Sequence, residues 1–467
     1  MKRASLKRAV SLMIAVWMTL PTAGGCESKT AQPRSGGEGE TAAPVTVEGN
    51  SLAETEPDHT RFSLPEDTGR LLLYTDEHLN LELEEAIRIF EERYPETAVE
   101  LQVFDEEEYR LRIRAEVAAG KGPDLIYANS TVFPDVYKTL STGVFLDLNP
   151  YMAADPEYSP ENYNSAVMEG GVFHGGRYLV PVEYEIPLVL TTAECLEANG
   201  IDPEDLRTWD GFVRACERFY DGGGEKHLFS VGASLHYLRV LFLCSGTELI
   251  DYERSEAVPD RTVLERMAGI AKLWYREDPV ELVLTEPSEN ALAERRCLFM
   301  NDLGSLIRLL FNYYGVLKEK GVTPLLLALP DWEDGCAATV DTWAAIPVSA
   351  VNRLSAWRFL KVLLSDEMQC PPAQPDRNLL KYGLPVSNSA LKRMLFTQKA
   401  RYASEGITDE VTDMIYEKAN GVNRSVPFPP ILNRYLQEAM MPYISGQCDF
   451  ETAFDRLRNT LELYKEE

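Results

Sequence analysis

An α/β fold built on a parallel sheet is what this sequence predicts, and three short runs carry the prediction. Arg70-Leu71-Leu72-Leu73-Tyr74 is apolar throughout and reads as a buried strand. Val99, Leu101 and Val103 alternate with Glu100 and Gln102 as a second strand, and Asp124-Leu125-Ile126-Tyr127 reads as a third. A helix between the first two puts Leu83, Ile87, Phe90 and Tyr94 on one face and stops at Pro95. Another runs to Gly120-Lys121-Gly122-Pro123. Strand, helix, strand, helix, strand is the signature of parallel pairing, and in such sheets a ligand sits beyond the carboxyl ends of the strands. Later segments keep this mixed character. Trp357 to Leu364 carries Phe359, Leu360 and Leu363 at helical spacing, and Ile431 to Tyr464 reads as two or three amphipathic helices.

At 467 residues, the chain is too long for one small core and implies two lobes. With 45% hydrophobic and 10% aromatic residues, a packed body is expected. The net charge of −28 argues against nucleic-acid binding, which needs a basic footprint. Most of the carboxylates belong on solvated helix faces, where they act on solubility and steering.

The N-terminus has the layout of an export signal. Lys2, Arg3, Lys7 and Arg8 form a basic start, Ala9 to Leu20 an apolar stretch, and Ala23-Gly24-Gly25 leads to Cys26. Twelve apolar residues are too few to span a bilayer, which needs about 20 in a helix. The arrangement resembles a bacterial lipoprotein signal, with residues 1–25 removed and Cys26 carrying the lipid; Ala23 stands where that family usually has Leu. Two acyl chains would hold the protein durably at the membrane. Residues 26–68, rich in Gly, Pro, Ser, Thr and Glu without an apolar period, read as a disordered tether. About 40 such residues have an r.m.s. span near 35 Å. The seven other cysteines (195, 216, 244, 297, 336, 370 and 448) form no C-x-x-C pair and no cluster with His, so free buried thiols are expected, with one or two bridges as the alternative.

From Arg70 onward the chain resembles the extracellular solute-binding proteins of ABC importers, in the carbohydrate-type group that includes maltose-binding protein. The residues that carry the resemblance occur in order. Gly122-Pro123-Asp124-Leu125 is followed by Leu140, Gly143, Phe145, Asp147-Leu148 and Tyr151, then by Gly176-Arg177-Tyr178-Leu179-Val180-Pro181. Thr208-Trp209-Asp210-Gly211-Phe212 resembles a helix start of the family. Ala344-Ala345-Ile346-Pro347 through Ala356-Trp357-Arg358-Phe359-Leu360, Leu384-Pro385-Val386, and Ile444-Ser445-Gly446 with Ala453 complete the series. The chain departs from the family at Leu190-Thr191-Thr192 and at Leu306, near a position where the family has a cleft aromatic.

The resemblance implies a two-lobed periplasmic-binding-protein-like fold of type II. Each lobe is then a mainly parallel sheet flanked by helices, and the lobes are discontinuous and joined by hinge strands. The first lobe is expected at 69–181 and 337–384, the second at 182–336 and 385–467. It also implies a solute, a saccharide or related polar molecule, captured in the cleft by hinge closure and passed to an ABC transporter permease. The protein would be a monomer at the outer face of the membrane, held by its lipid, with no cofactor and no metal.

A sugar offers apolar ring faces edged by hydroxyls, so its site needs aromatic planes, carboxylates and amides. Asp76 and Glu77 follow the first strand; helix-start capping is the alternative. Asn129, Ser130 and Thr131 follow the third, with capping again the alternative. Glu183, Tyr184 and Glu185 lie just past Pro181, with Glu185 at the family's hinge-strand carboxylate. Asp341 and Trp343 precede the second crossing strand, Trp343 serving as an aromatic platform or else as a core residue. Asn301 and Tyr435, with His236-Tyr237 as a weaker pair, complete the candidates, and Trp209 is expected to be structural.

Catalysis is the competing class. Glu183 and Glu185 could be proposed as the acid and base of a surface glycoside hydrolase, but residues two apart on one strand project to the same face. Gly232-Ala233-Ser234-Leu235-His236 lacks the last glycine of a nucleophile elbow. The chain has no H-E-x-x-H, no phosphate loop and only five histidines. A ligand-binding sensor subunit is the remaining alternative.

Overall fold

The computed structural model describes residues 62–466 apart from 67, 224–225, 230–235, 275–287, 301–312, 333–334, 371–382, 403–408 and 428. Cys26, the signal and nearly all of the tether lie outside the described residues.

Three strands open the fold: β1 (Arg70–Asp76), β2 (Ala98–Phe104) and β3 (Leu125–Asn129). They pair in parallel in the order β2–β1–β3, with Arg70 opposite Ala98 and Leu73 opposite Leu125. Leu71 and Leu73 enter one core and Tyr74 another, which is why the run is apolar on both faces. The helices Asn80–Arg93 and Glu106–Ala118 make the crossovers. Asp105 starts the second by accepting a 2.8 Å hydrogen bond from the Glu108 amide. Asp124 of the Gly-Pro-Asp run has a structural task. Its buried carboxylate accepts from the amides of Leu72, Val351 and Asn352 at 2.8–3.0 Å, tying a distant turn to β1.

The remaining strands follow in chain order: the hairpin β4 (Val172–Phe173) and β5 (Gly176–Arg177), β6 (Val180–Glu185), β7 (Leu188–Thr192), β8 (His227–Phe229), the hairpin β9 (Ile250–Asp251) and β10 (Glu256–Ala257), β11 (Cys297–Phe299), β12 (Pro324–Ala328), β13 (Cys336–Ala345), β14 (Leu384–Pro385) and β15 (Val422–Pro427). The first sheet has the order β14–β6–β13–β3–β1–β2, with β15 also paired to β13. In a second sheet β12 pairs antiparallel with β7, β8 pairs parallel with β11, and Leu190 and Met300 join the two pairs by exchanging backbone hydrogen bonds of 2.8 and 2.7 Å.

The chain passes between the sheets from β6 to β7 and back from β12 to β13. Among the described residues parallel pairing occurs at β2–β1–β3, β13–β15 and β8–β11, while β13 runs antiparallel to both β3 and β6. The helices Asn388–Tyr402 and Asp409–Asn420 pack into a core that draws on both sheets; the chain then enters the second sheet's own core at the helix Pro430–Ile444. Trp209 is structural, as its motif implies: it is buried there, 5.9 Å from Trp274, on a helix capped by Thr208. All seven described cysteines are free and only Cys448 is partly exposed. Burial pushes the Cys195 thiol up to about 11 and Cys336 up to about 12, which keeps them unreactive. Among the described residues no helix is long and apolar enough to cross a membrane.

A buried ion pair braces the first lobe. Asp155 accepts from the Trp357 indole at 2.7 Å and pairs with Lys361 at 2.8 Å. Burial alone would raise the Asp155 pKa; Lys361, the Glu157 amide and Trp357 outweigh it and hold the carboxyl below its ordinary value. The pair therefore stabilises the fold above the unfolded carboxylate pKa and loses that contribution as pH falls through the depressed folded value. Asp155→Ala is expected to cost about 3 kcal/mol at neutral pH, since it leaves the buried Trp357 indole without its acceptor and Lys361 with only the exposed Glu157, 2.6 Å away. Denaturant melts at pH 7 and pH 3 should show the gap to the parent narrowing at the lower pH.

Candidate functional site

The site is built where the first sheet hands the chain to the second. On β13, Thr342 stands opposite Asn129 of β3 and opposite Glu183 of β6, and Thr339 stands opposite Glu185. Register alone thus gathers Asn129, Glu183 and Glu185 on the two strands that flank β13. The Ser130 amide donates to the Asp341 carbonyl at 3.1 Å, closing the end of β3 onto β13. The helix His236–Ser245 then brings Arg239 to the same place.

Electrostatics define the cluster. Burial lowers the pKa of the Arg239 guanidinium, while Glu185 and Asp341 beside it act in the opposite sense. Burial raises the Asp341 carboxyl against the influence of Arg239 and of the Thr342 hydroxyl, 3.4 Å from Oδ2. The Tyr127 phenol on β3 is pushed far up by burial and then by the charges of Glu82, Glu183 and Asp341. Four carboxylates, one guanidinium and one phenol therefore converge around the crossing strands. Carboxylates take hydroxyl hydrogens and a guanidinium offers donors in a fixed plane, so this set suits a hydroxyl-rich solute.

Other candidates engage local partners. Asp76 is 1% exposed and accepts from the amides of His78 and Leu79 at 2.8 and 2.9 Å, which is the capping role; Glu77 beside it is exposed. Asn129 turns its carboxamide oxygen onto the Thr131 amide and hydroxyl, at 2.9 and 2.6 Å, fixing the loop that carries Ser130. Tyr184 is fully buried, on the opposite face of β6 from Glu183 and Glu185 as strand alternation requires, so it does not share their environment.

Trp343 is 1% exposed, packed 5.8 Å from Phe133 and 6.5 Å from Phe145. No ring face is open, so in this structure it takes the core role, because the β13 bulge turns it toward the helix side of the first sheet. Tyr435 is half-buried, edge-on to Tyr464 at 5.3 Å, on a helix whose Ile431 amide donates to the Pro134 carbonyl beyond β3. Asn301, Leu306 and the side chains of His236 and Tyr237 lie outside the described residues.

Arg239, Glu82 and Tyr127 were absent from the sequence candidates. Arg239 had a visible signal, as the lone charge in the apolar run Leu238–Cys244. Glu82 and Tyr127 had none, since one sits in an acidic helix turn and the other inside an apolar strand.

Residues 76–241 match the family described as bacterial extracellular solute-binding protein. An arabinooligosaccharide-binding protein of Halalkalibacterium halodurans is 21% identical over 273 residues, which is 56% of this chain and 58% of that protein, so the match spans little more than half the length of this curated relative. The sugar-binding protein MalE of Xanthomonas citri shares the fold at a TM-score of 0.67 with 14% identity, over 85% of this chain and 97% of its own. An ABC substrate-binding protein of Listeria monocytogenes, solved with cycloalternan, does so at 0.58 with 13% identity, over 85% and 99%. The fold is the two-lobed type II arrangement, and within it residues 76–241 are similar to the bacterial extracellular solute-binding proteins.

Trp343→Ala is expected to cost about 3–5 kcal/mol of stability by leaving a cavity among Phe133 and Phe145. A thermal melt should register the loss, with solute affinity changed far less than by Glu185→Gln.

Proposed function

We propose that this chain captures a saccharide at the junction of its two sheets, encloses it by hinge movement and delivers it to an ABC transporter permease. The observation that carries the reading is the convergence of Glu183, Glu185 and Asp341, on the strands that cross between the sheets, with Arg239 of the helix His236–Ser245. Groups placed at the crossing report directly on the angle between lobes, so a solute that bridges them favours closure. The ligands named for the relatives, arabinooligosaccharide and cycloalternan, are saccharides. Lobes at 69–181 with 337–384 and at 182–336 with 385–467 accord with this reading. The cleft contacts assigned are Asn129, Ser130, Thr131, Glu183, Glu185, Asp341 and Tyr435, with Arg239 added. Asp76 and Glu77 flank it, and Asn301 belongs to the same expectation. Export and lipidation at Cys26 would keep the captured solute close to the membrane.

A thermal-shift panel of mono- and oligosaccharides tests the class. A cognate sugar at 100 times its Kd adds about 2.7 kcal/mol of stability, and Glu185→Gln should weaken that sugar by tenfold or so through loss of a charged acceptor. Stabilisation by peptides or polyamines alone would sink the saccharide assignment. For the anchor, Cys26→Ser should move the protein from the membrane fraction to the medium; retention on the membrane would place the attachment elsewhere.

A further inference from the structure

We propose that the chain has a second small-molecule site beside β15, which takes a neutral cyclic polyol of mono- or disaccharide size. It goes beyond the function proposed above and uses none of its residues. A cavity of about 450 Å³ lies between the β4–β5 hairpin, the β9–β10 hairpin and its preceding loop, and β15. That volume falls at the lower end of small-molecule pockets. Glu183, Glu185, Asp341 and Arg239 do not line it.

Its apolar wall is aromatic and held in place. Tyr137 lies 5.9 Å from Phe173 and 5.8 Å from Tyr252, and Phe173 lies 6.3 Å from Tyr252. The Tyr252 hydroxyl donates to Asp135, which also accepts from Tyr464 at 3.0 Å, so the ring is fixed by its far end. Rigid aromatic faces of this kind receive the C–H face of a sugar ring.

The polar wall has unused capacity. Arg424 Nη2 donates to the carbonyls of Leu243 and Cys244, at 2.8 and 3.2 Å, and to Asp331 at 2.8 Å, while Nη1 and Nε have no partner among the described residues. Nη1 occupies the space next to Gly246, where a side-chain Cβ would stand only 1.8 Å away; glycine there leaves room for the guanidinium edge at the cavity wall. Glu248 also lines the cavity and its carboxylate makes no hydrogen bond or ion pair among the described residues. Donor and acceptor together serve hydroxyl groups. Asp331 pairs with Arg424 and Arg254 with Asp251, so these charges are largely met within the protein; Glu248 and Glu253 disfavour an anion, and the aromatic faces with the remaining donor and acceptor match a neutral polyol.

Calorimetric titration of the full chain with maltose and with L-arabinose tests the site. Thr247, half-buried in the wall, is replaced in Thr247→Trp to fill the cavity, and Phe173→Leu removes an aromatic face while keeping apolar volume. The expected result is a binding event that Thr247→Trp abolishes, that Phe173→Leu weakens by about tenfold, and that Glu185→Gln leaves in place. If Thr247→Trp fails to fold, Phe173→Leu in a protein of unchanged melting temperature decides. Binding that responds only to Glu185→Gln, or no event at millimolar sugar that responds to Phe173→Leu or Thr247→Trp, overturns this site. An event sensitive to Thr247→Trp without one sensitive to Glu185→Gln would uphold it and count against the cleft assignment.

Discussion

The ladder of β13 is the constraint on which this structure depends. Ten residues long, it pairs with β6 along most of its length, with β3 over its second half and with β15 over its first. One strand therefore belongs to the first sheet at its end and to the crossing at its beginning. Backbone hydrogen bonds fix its register, and register fixes which side chains meet. Asn129, Thr342 and Glu183 stand in line for that reason, with no need for attraction between them. Close packing protects the same crossing: Gly171 passes so near the Leu179 carbonyl that a Cβ there would lie 1.9 Å from its oxygen.

Charge at the crossing is held against burial. Arg239 and Asp341 are each pushed toward neutrality by desolvation, and each is returned toward its ionised form by the other. Such an arrangement contributes little net stability, because the cost of removing two ions from water offsets their attraction. It does keep polar groups oriented in a low-dielectric setting, where a hydrogen bond to a solute counts for more than it would in water. Asp155, Lys361 and Trp357, by contrast, satisfy one another within the first core.

Much of the scaffold was legible in the residues. The apolar run at β1, the alternation in β2 and the Gly-Pro-Asp turn before β3 gave the parallel unit, and all three strands stand where they were expected. The type II arrangement followed from the order of weak motifs. Asp124 shows why a motif residue need not touch a ligand: its carboxylate is consumed by three amides of its own chain. Asp76 and Asn129 illustrate the same competition, since a short polar side chain after a strand satisfies local amides first.

What the sequence determined by itself is what depends on local period and on order along the chain: strand and helix, the position of Trp209 at a helix start, and the glutamates of β6 sharing one face two residues apart. Which groups meet was left to the tertiary structure. Arg239 lies about a hundred residues from Asp341 in the chain, so no local pattern could pair them. Trp343 looked like a platform by its place before a crossing strand, yet the bulge in β13 turned it into the core. A side chain's face on a strand is set by counting in twos only while the pairing is regular; one displaced residue reverses it, and that displacement exists only once the neighbouring strands are in place.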